Sequence, residues 1–122
     1  MALSNPIVII NNGAIVKVKH LNENNELHRN TDEGPAFILY YEDGKIRYEE
    51  YYVNGKRHRP TEEGPAVIWY YENSQIKSEE YWINGQLHRP IEDGPAIIDY
   101  DENGQIRNKE YWVDGKQIEL NN

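Results

Sequence analysis

Apolar and polar positions alternate along most of the chain, in short runs closed by turn dipeptides. Residues 36–41 read Ala-Phe-Ile-Leu-Tyr-Tyr, and residues 66–71 and 96–101 repeat the pattern. Each run is followed by a turn: Glu42-Asp43-Gly44, Glu72-Asn73-Ser74 or Glu102-Asn103-Gly104. A second run follows over residues 45–53, 75–83 and 105–113, closed by Asn54-Gly55, Asn84-Gly85 or Asp114-Gly115. Asp-Gly and Asn-Gly supply the positive φ of type I′ hairpin turns. Ser74 is the weak member, because Ser tolerates that geometry less well than Gly. No stretch has helical periodicity. Runs rich in aromatic and β-branched residues between such turns predict β-hairpins in series.

The pattern is a repeat. His28, His58 and His88 stand thirty positions apart, and Gly34, Gly64 and Gly94 keep the same interval. A period in this range predicts a stacked array in which each unit buries its face against its neighbours. The units are residues 27–56, 57–86 and 87–116, with a short tail over 117–122. Residues 1–26 read as a degenerate capping unit. Asn5-Pro6 replaces Gly-Pro, Ile7-Val8-Ile9-Ile10 forms a strand, Asn12-Gly13 turns it, and residues 14–21 return. The expected fold is all-β: a single domain, an antiparallel meander of about eight main strands from four hairpins.

The two-residue period of a strand sorts the faces. Ala36, Ile38 and Tyr40 share one face with little change between units, which predicts the packed side. The opposite face reads Phe37, Leu39, Tyr41, then Val67, Trp69, Tyr71, then Ile97, Asp99, Asp101. It drifts from apolar to acidic. Core positions should repeat and contact positions need not, so Phe37, Leu39, Tyr41, Val67, Trp69, Tyr71, Asp99 and Asp101 are the candidate partner-binding residues. In the second run Glu50, Glu80 and Glu110 share a face with Tyr52, Trp82 and Trp112. A Glu there needs a partner if buried, either a Tyr hydroxyl or the loop that follows. Tyr51, Tyr81 and Tyr111 form the other aromatic row, and stacking between repeats is the expected role of both rows.

Composition narrows the function. The net charge of −8 argues against a nucleic-acid binder, whose footprint would be basic. It suits a basic protein partner. The chain has no Cys, so disulfides and thiolate metal sites are excluded, and a reducing, cytoplasmic setting is expected. The N-terminal sequence does not read as a secretory signal, and no run is long enough for a membrane-spanning helix.

Candidate chemistry centres on the connections. His28-Arg29, His58-Arg59 and His88-Arg89 recur at equivalent places and could form an anion-binding ladder. Carboxylates follow each pair, at Asp32-Glu33, Glu62-Glu63 and Glu92-Asp93, so mutual neutralisation is the stronger expectation. One His per unit is poor spacing for a metal site, and no metal or cofactor is expected. Glu49-Glu50 and Glu79-Glu80 are adjacent on a strand, so they point apart and cannot flank one glycosidic bond. No phosphate loop or nucleophile motif is present.

Tyr52-Val53-Asn54-Gly55-Lys56-Arg57-His58, Gly64, Tyr70 and Glu80-Tyr81-Trp82-Ile83-Asn84-Gly85 resemble the MORN repeat (membrane occupation and recognition nexus), in its longer variants. The resemblance covers residues 5–118. Two features depart from the usual unit: Glu50, Glu80 and Glu110 replace a strand Gly, and Arg59 and Arg89 replace the Gly after His. The resemblance implies an elongated, twisted sheet or open solenoid of stacked hairpins. It implies a scaffold, protein-contact or dimerisation role, an antitoxin or immunity component in some variants, and no enzyme activity. The leading expectation is therefore a non-enzymatic protein-binding module or self-associating scaffold. An anion binder is the second reading and a hydrolase the third.

Overall fold

The computed structural model describes residues 6–121. It is all-β, a meander of hairpins that does not close into a barrel. Asn5 of the Asn5-Pro6 pair lies outside the described residues. The first hairpin is β1 (Pro6–Asn11) and β2 (Ala14–His20). Unit one supplies β3 (Phe37–Tyr40) and β4 (Ile46–Glu50), then a small hairpin of β5 (Tyr52–Val53) and β6 (Lys56–Arg57). Unit two supplies β7 (Val67–Tyr70), β8 (Ile76–Glu80), β9 (Trp82–Ile83) and β10 (Gln86–Leu87). A single 3₁₀ turn at Ile91–Asp93 precedes β11 (Ile97–Tyr100), β12 (Ile106–Val113) and β13 (Lys116–Ile118). The main sheet has nine strands in the order β1-β2-β3-β4-β7-β8-β11-β12-β13.

The second run of each unit was expected to be one strand. In units one and two it breaks, at Tyr51 and at Tyr81, and a two-residue hairpin turns out of the main ladder. Only β12 continues through the equivalent point. At each break the backbone crosses to the next unit: the Tyr51 N–H donates to the Ala66 carbonyl at 2.7 Å, and the Tyr81 N–H to Ala96 at 2.8 Å. His20 does the same to Ala36 at 2.8 Å, so it occupies the place that Tyr51 and Tyr81 hold later.

The two turn types also part. Asn54-Gly55 has φ of 48° and 80°, both positive as in a type I′ turn. At the other turns only the last residue is left-handed: Gly44 at 90°, Ser74 at 71° and Gly104 at 86°. These are the longer hairpin loops in which a type I turn ends on one left-handed residue. A side-chain oxygen fixes each one, as when Asp43 Oδ1 accepts the Lys45 N–H at 2.9 Å. A register shift follows in each hairpin, between Leu39 and Tyr40, Trp69 and Tyr70, and Asp99 and Tyr100. These are β-bulges, which re-aim the side chains beside them.

Burial is shared by both faces. Ala36, Ala66 and Ala96 are fully buried, as their repetition predicts. Ile38, Ile68 and Ile98 on the same face are only half-buried. The opposite, variable face holds Val67 and Tyr48, at 1% and 6% exposure. Both faces therefore bury apolar side chains. The driest points are Ala36, Ala66 and Ala96 after each Gly-Pro and Val67 on the central strand β7.

Candidate functional site

Three sets of side chains emerge from this frame. The first is the His-Arg connection. The Arg59 guanidinium lies 4.0 Å from the centre of the Tyr51 ring and donates to the Pro65 carbonyl at 3.0 Å. Arg89 repeats this with Tyr81, at 4.1 Å, and Pro95, at 3.1 Å. Arg29 donates to the Pro35 carbonyl at 3.2 Å. Nε of Arg59 and of Arg89 is buried without an acceptor, and the ring face supplies the compensating attraction. Gly64 makes room, since a Cβ there would lie 2.7 Å from Arg59 Nη1.

The histidines are equally engaged. Nδ1 of His28 accepts the Asn54 N–H at 2.9 Å, and His58 and His88 accept those of Asn84 and Asp114 at 3.1 Å. An acceptor Nδ1 places the proton of the neutral ring on Nε2. The histidine of each connection thus clamps the second turn of its own unit, 26 residues further on. The expected neutralisation by Asp32-Glu33, Glu62-Glu63 and Glu92-Asp93 is corrected: the arginine partners are carbonyls and tyrosine rings, because the Gly-Pro turn brings a carbonyl closer than any carboxylate.

The second set is the row Phe37, Glu50, Val67, Glu80, Ile97, Glu110, aligned strand by strand on one face. Glu50 is buried and accepts from Arg57 Nε at 2.6 Å and from the Tyr52 hydroxyl at 3.0 Å. Glu80 and Glu110 accept the indole N–H of Trp82 and Trp112, at 2.8 and 3.0 Å. The Tyr-hydroxyl expectation holds at Glu50, and tryptophan takes the role in later units. The expected stacking of Tyr52 on Trp82 is corrected. Arg57 lies between them, its guanidinium 4.9 Å from the Trp82 ring centre. Burial opposes the charge of Arg57, but the Glu50 carboxylate outweighs it and holds the guanidinium above its usual range. On the opposite face Glu49 and Glu79 accept the hydroxyls of Tyr70 and Tyr100, at 2.7 and 2.6 Å.

The third set holds the predicted contact residues. Trp69, Tyr71 and Asp99 come together and line one open cleft of about 510 Å³. Its other walls are Lys77, Ser78, Tyr100, Arg107 and Asn108. The remaining contact candidates are used elsewhere. Val67 is too buried to meet a partner. Phe37 lies edge-on to Tyr48, with Lys17 Nζ 5.7 Å from its ring centre. Leu39 is half-buried on β3 beside Tyr48. The Tyr41 hydroxyl donates to the Tyr70 carbonyl at 2.6 Å, and that of Tyr71 to Tyr100 at 2.7 Å. Asp101 Oδ1 accepts the N–H groups of Asn103 and Gln105 and holds the last turn.

Sequence reasoning passed over the positions of Tyr48, Ser78 and Asn108, which lie beside the contact row. The signal was available: three copies that agree at most even positions read Tyr, Ser and Asn there. Among the described residues no cluster of His, Asp or Glu could hold a metal ion, and no helix could cross a membrane.

Residues 36–54 and 66–87 match the family model described as MORN repeat variant. Each match starts at the buried Ala and runs through the hairpin to the second turn or just beyond it, so the resemblance seen in sequence is borne out in these two units. No curated protein and no solved structure shows significant similarity to the chain.

Proposed function

We propose that the chain is a non-enzymatic protein-binding module which offers the cleft face of units two and three to a protein partner. One observation carries this reading. Groups common to all units are largely paired internally, whereas Trp69 and Asp99, at a position where the units differ, converge with the cations Lys77 and Arg107 on one open cleft. Trp, Tyr and Arg are typical interface anchors. The MORN repeat variant is itself a scaffold-type unit, which supports the same role. The net charge of −8 supports a partner that is basic where it meets the acidic surface outside the cleft. An inhibitor role, of immunity or antitoxin type, and a cytoplasmic setting are part of the proposal.

The His-Arg loops give little support to the anion-ladder alternative, because their donors face carbonyls and rings. The test is affinity capture with the intact chain and with the double variant Asp99→Lys, Arg107→Glu. The captured protein should bind the variant at least about tenfold more weakly, about 1.4 kcal/mol, with the melting temperature unchanged. An unchanged affinity refutes the face assigned here.

A further inference from the structure

The cleft lies where the array lacks a ring of its own. In unit one Tyr48 is packed against Trp69, with ring centres 4.1 Å apart, and against Phe37 at 6.0 Å. Tyr48 faces Trp69 across the β4–β7 ladder, and Ser78 faces Trp69 from the other side, across β7–β8. Ser78 and Asn108 stand at the positions equivalent to Tyr48. One flank of Trp69 is therefore covered by a tyrosine and the other lies over a serine floor. The indole N–H groups of Trp82 and Trp112 are bound to Glu80 and Glu110. That of Trp69 has no acceptor among the described residues.

The cations show a matching gap. Arg47 rests over Tyr41 and Lys77 over Tyr71, at 5.7 and 5.6 Å from the ring centres. Arg107 is their equivalent in unit three, where Asp101 replaces the tyrosine. Its guanidinium has no ring or carboxylate partner among the described residues, and it lines the cleft together with Lys77. Asp99 is the acid on the wall, and Asn108 Nδ2 donates to its Oδ2 at 3.1 Å. The cleft thus offers an open indole flank, a small floor, two cations and one partly satisfied carboxylate. It is positive within an acidic chain, and its volume falls in the range of small-ligand sites, about 300–1,000 Å³.

We infer that the cleft receives one aromatic side chain of the protein partner, flanked by a carboxylate, seated against Trp69 where the array's own tyrosine is missing. The template is internal: the Tyr48–Trp69 pair shows the contact that the incoming ring makes from the other side. Lys77 and Arg107 select for the adjoining acid, and the Trp69 N–H is free to donate to it. This rests on the protein-binding reading above and specifies its anchor.

The test uses three capped peptides, Ac-Glu-Tyr-Glu-NH2, Ac-Glu-Ala-Glu-NH2 and Ac-Lys-Tyr-Lys-NH2, with 4-hydroxyphenylacetate as a free aromatic acid. Binding is followed at the Trp69 indole N–H resonance. The acidic tyrosine peptide should shift it with a Kd of about 1 mM, and the other two peptides at least about tenfold more weakly. Ser78→Tyr should abolish the shift and raise the melting temperature, since Tyr48 shows that a tyrosine fits this position. Arg107→Gln, at an exposed site, should weaken the acidic peptide about tenfold while leaving the fold intact. Equal binding of all three peptides, or none, overturns the inference. Binding of 4-hydroxyphenylacetate without the acidic peptide overturns the side-chain occupant. If Ser78→Tyr still captures the protein partner at full affinity, the inference fails while the protein-binding reading stands.

Discussion

Arg59 joins three parts of the chain: its own connection, the Tyr51 ring and the Pro65 carbonyl. A lysine can meet one of these contacts but not all, because its ammonium lacks the flat fork. Arg59→Ala should destabilise the fold by about 2–3 kcal/mol and Arg59→Lys by about half of that, read from urea denaturation. Gly64→Ala should cost about 2 kcal/mol, since the new methyl meets Arg59 and φ is +134°. The tyrosines predict an alkaline limit. Burial, with a Glu hydrogen bond second, pushes Tyr100 up to about 12 and lifts Tyr48 and Tyr70 further. Their folded pKa lies above the unfolded value near 10, so the folded chain holds protons that the unfolded chain has released. Their contribution is complete below about pH 10 and is lost as pH rises through 12 and beyond. Absorbance at 295 nm should show several tyrosines ionising only as the chain unfolds; ten independent titrations near pH 10 would contradict this.

Hairpins, turns and the buried Ala were legible in the sequence because each is written three times. Gly-Pro-Ala, the turn dipeptides and the alternating runs carry local signals that tertiary contacts do not override. The break at Tyr51 was not legible, because nothing in Glu-Tyr-Tyr-Val marks the point where pairing passes to the next unit. The bulges were hidden for a related reason. A one-residue shift changes which side chains share a face, so a strict two-residue count does not carry across the step from Leu39 to Tyr40, whereas Tyr48 keeps the face of Glu50 and was legible from the disagreement of the three copies. The arginine partners were also out of reach, since sequence distance favours a nearby carboxylate over a carbonyl brought round by a turn. One element-level prediction follows from φ alone. Ser74 is left-handed at 71°, where the other two units place Gly. Ser74→Gly should stabilise the second hairpin by about 0.5–1 kcal/mol, seen as a higher melting temperature.

At the scale of the molecule, the two ends of the sheet differ. β1 carries Ile7, Val8, Ile9 and Ile10, all more than a third exposed, and bears no charge. The opposite end closes with Lys116–Ile118. An uncharged apolar edge is a template for pairing with another strand. Val8→Lys should lower any concentration-dependent self-association seen by sedimentation, with little change in melting temperature.

The bonds that pass from one hairpin to the next are the same at every junction: Tyr51 to Ala66, Tyr81 to Ala96, and His20 to Ala36 before them. Such a chain has a natural quantum of growth. A duplication of thirty residues meets identical partners on both sides and lengthens the sheet by one hairpin, whereas a gain or loss of one residue at a junction misplaces every bond in it. Length in this architecture can therefore change in whole units while the spacing within a unit stays fixed. A pocket formed where two neighbouring units differ can be moved along the array, or copied, without redesigning what carries it.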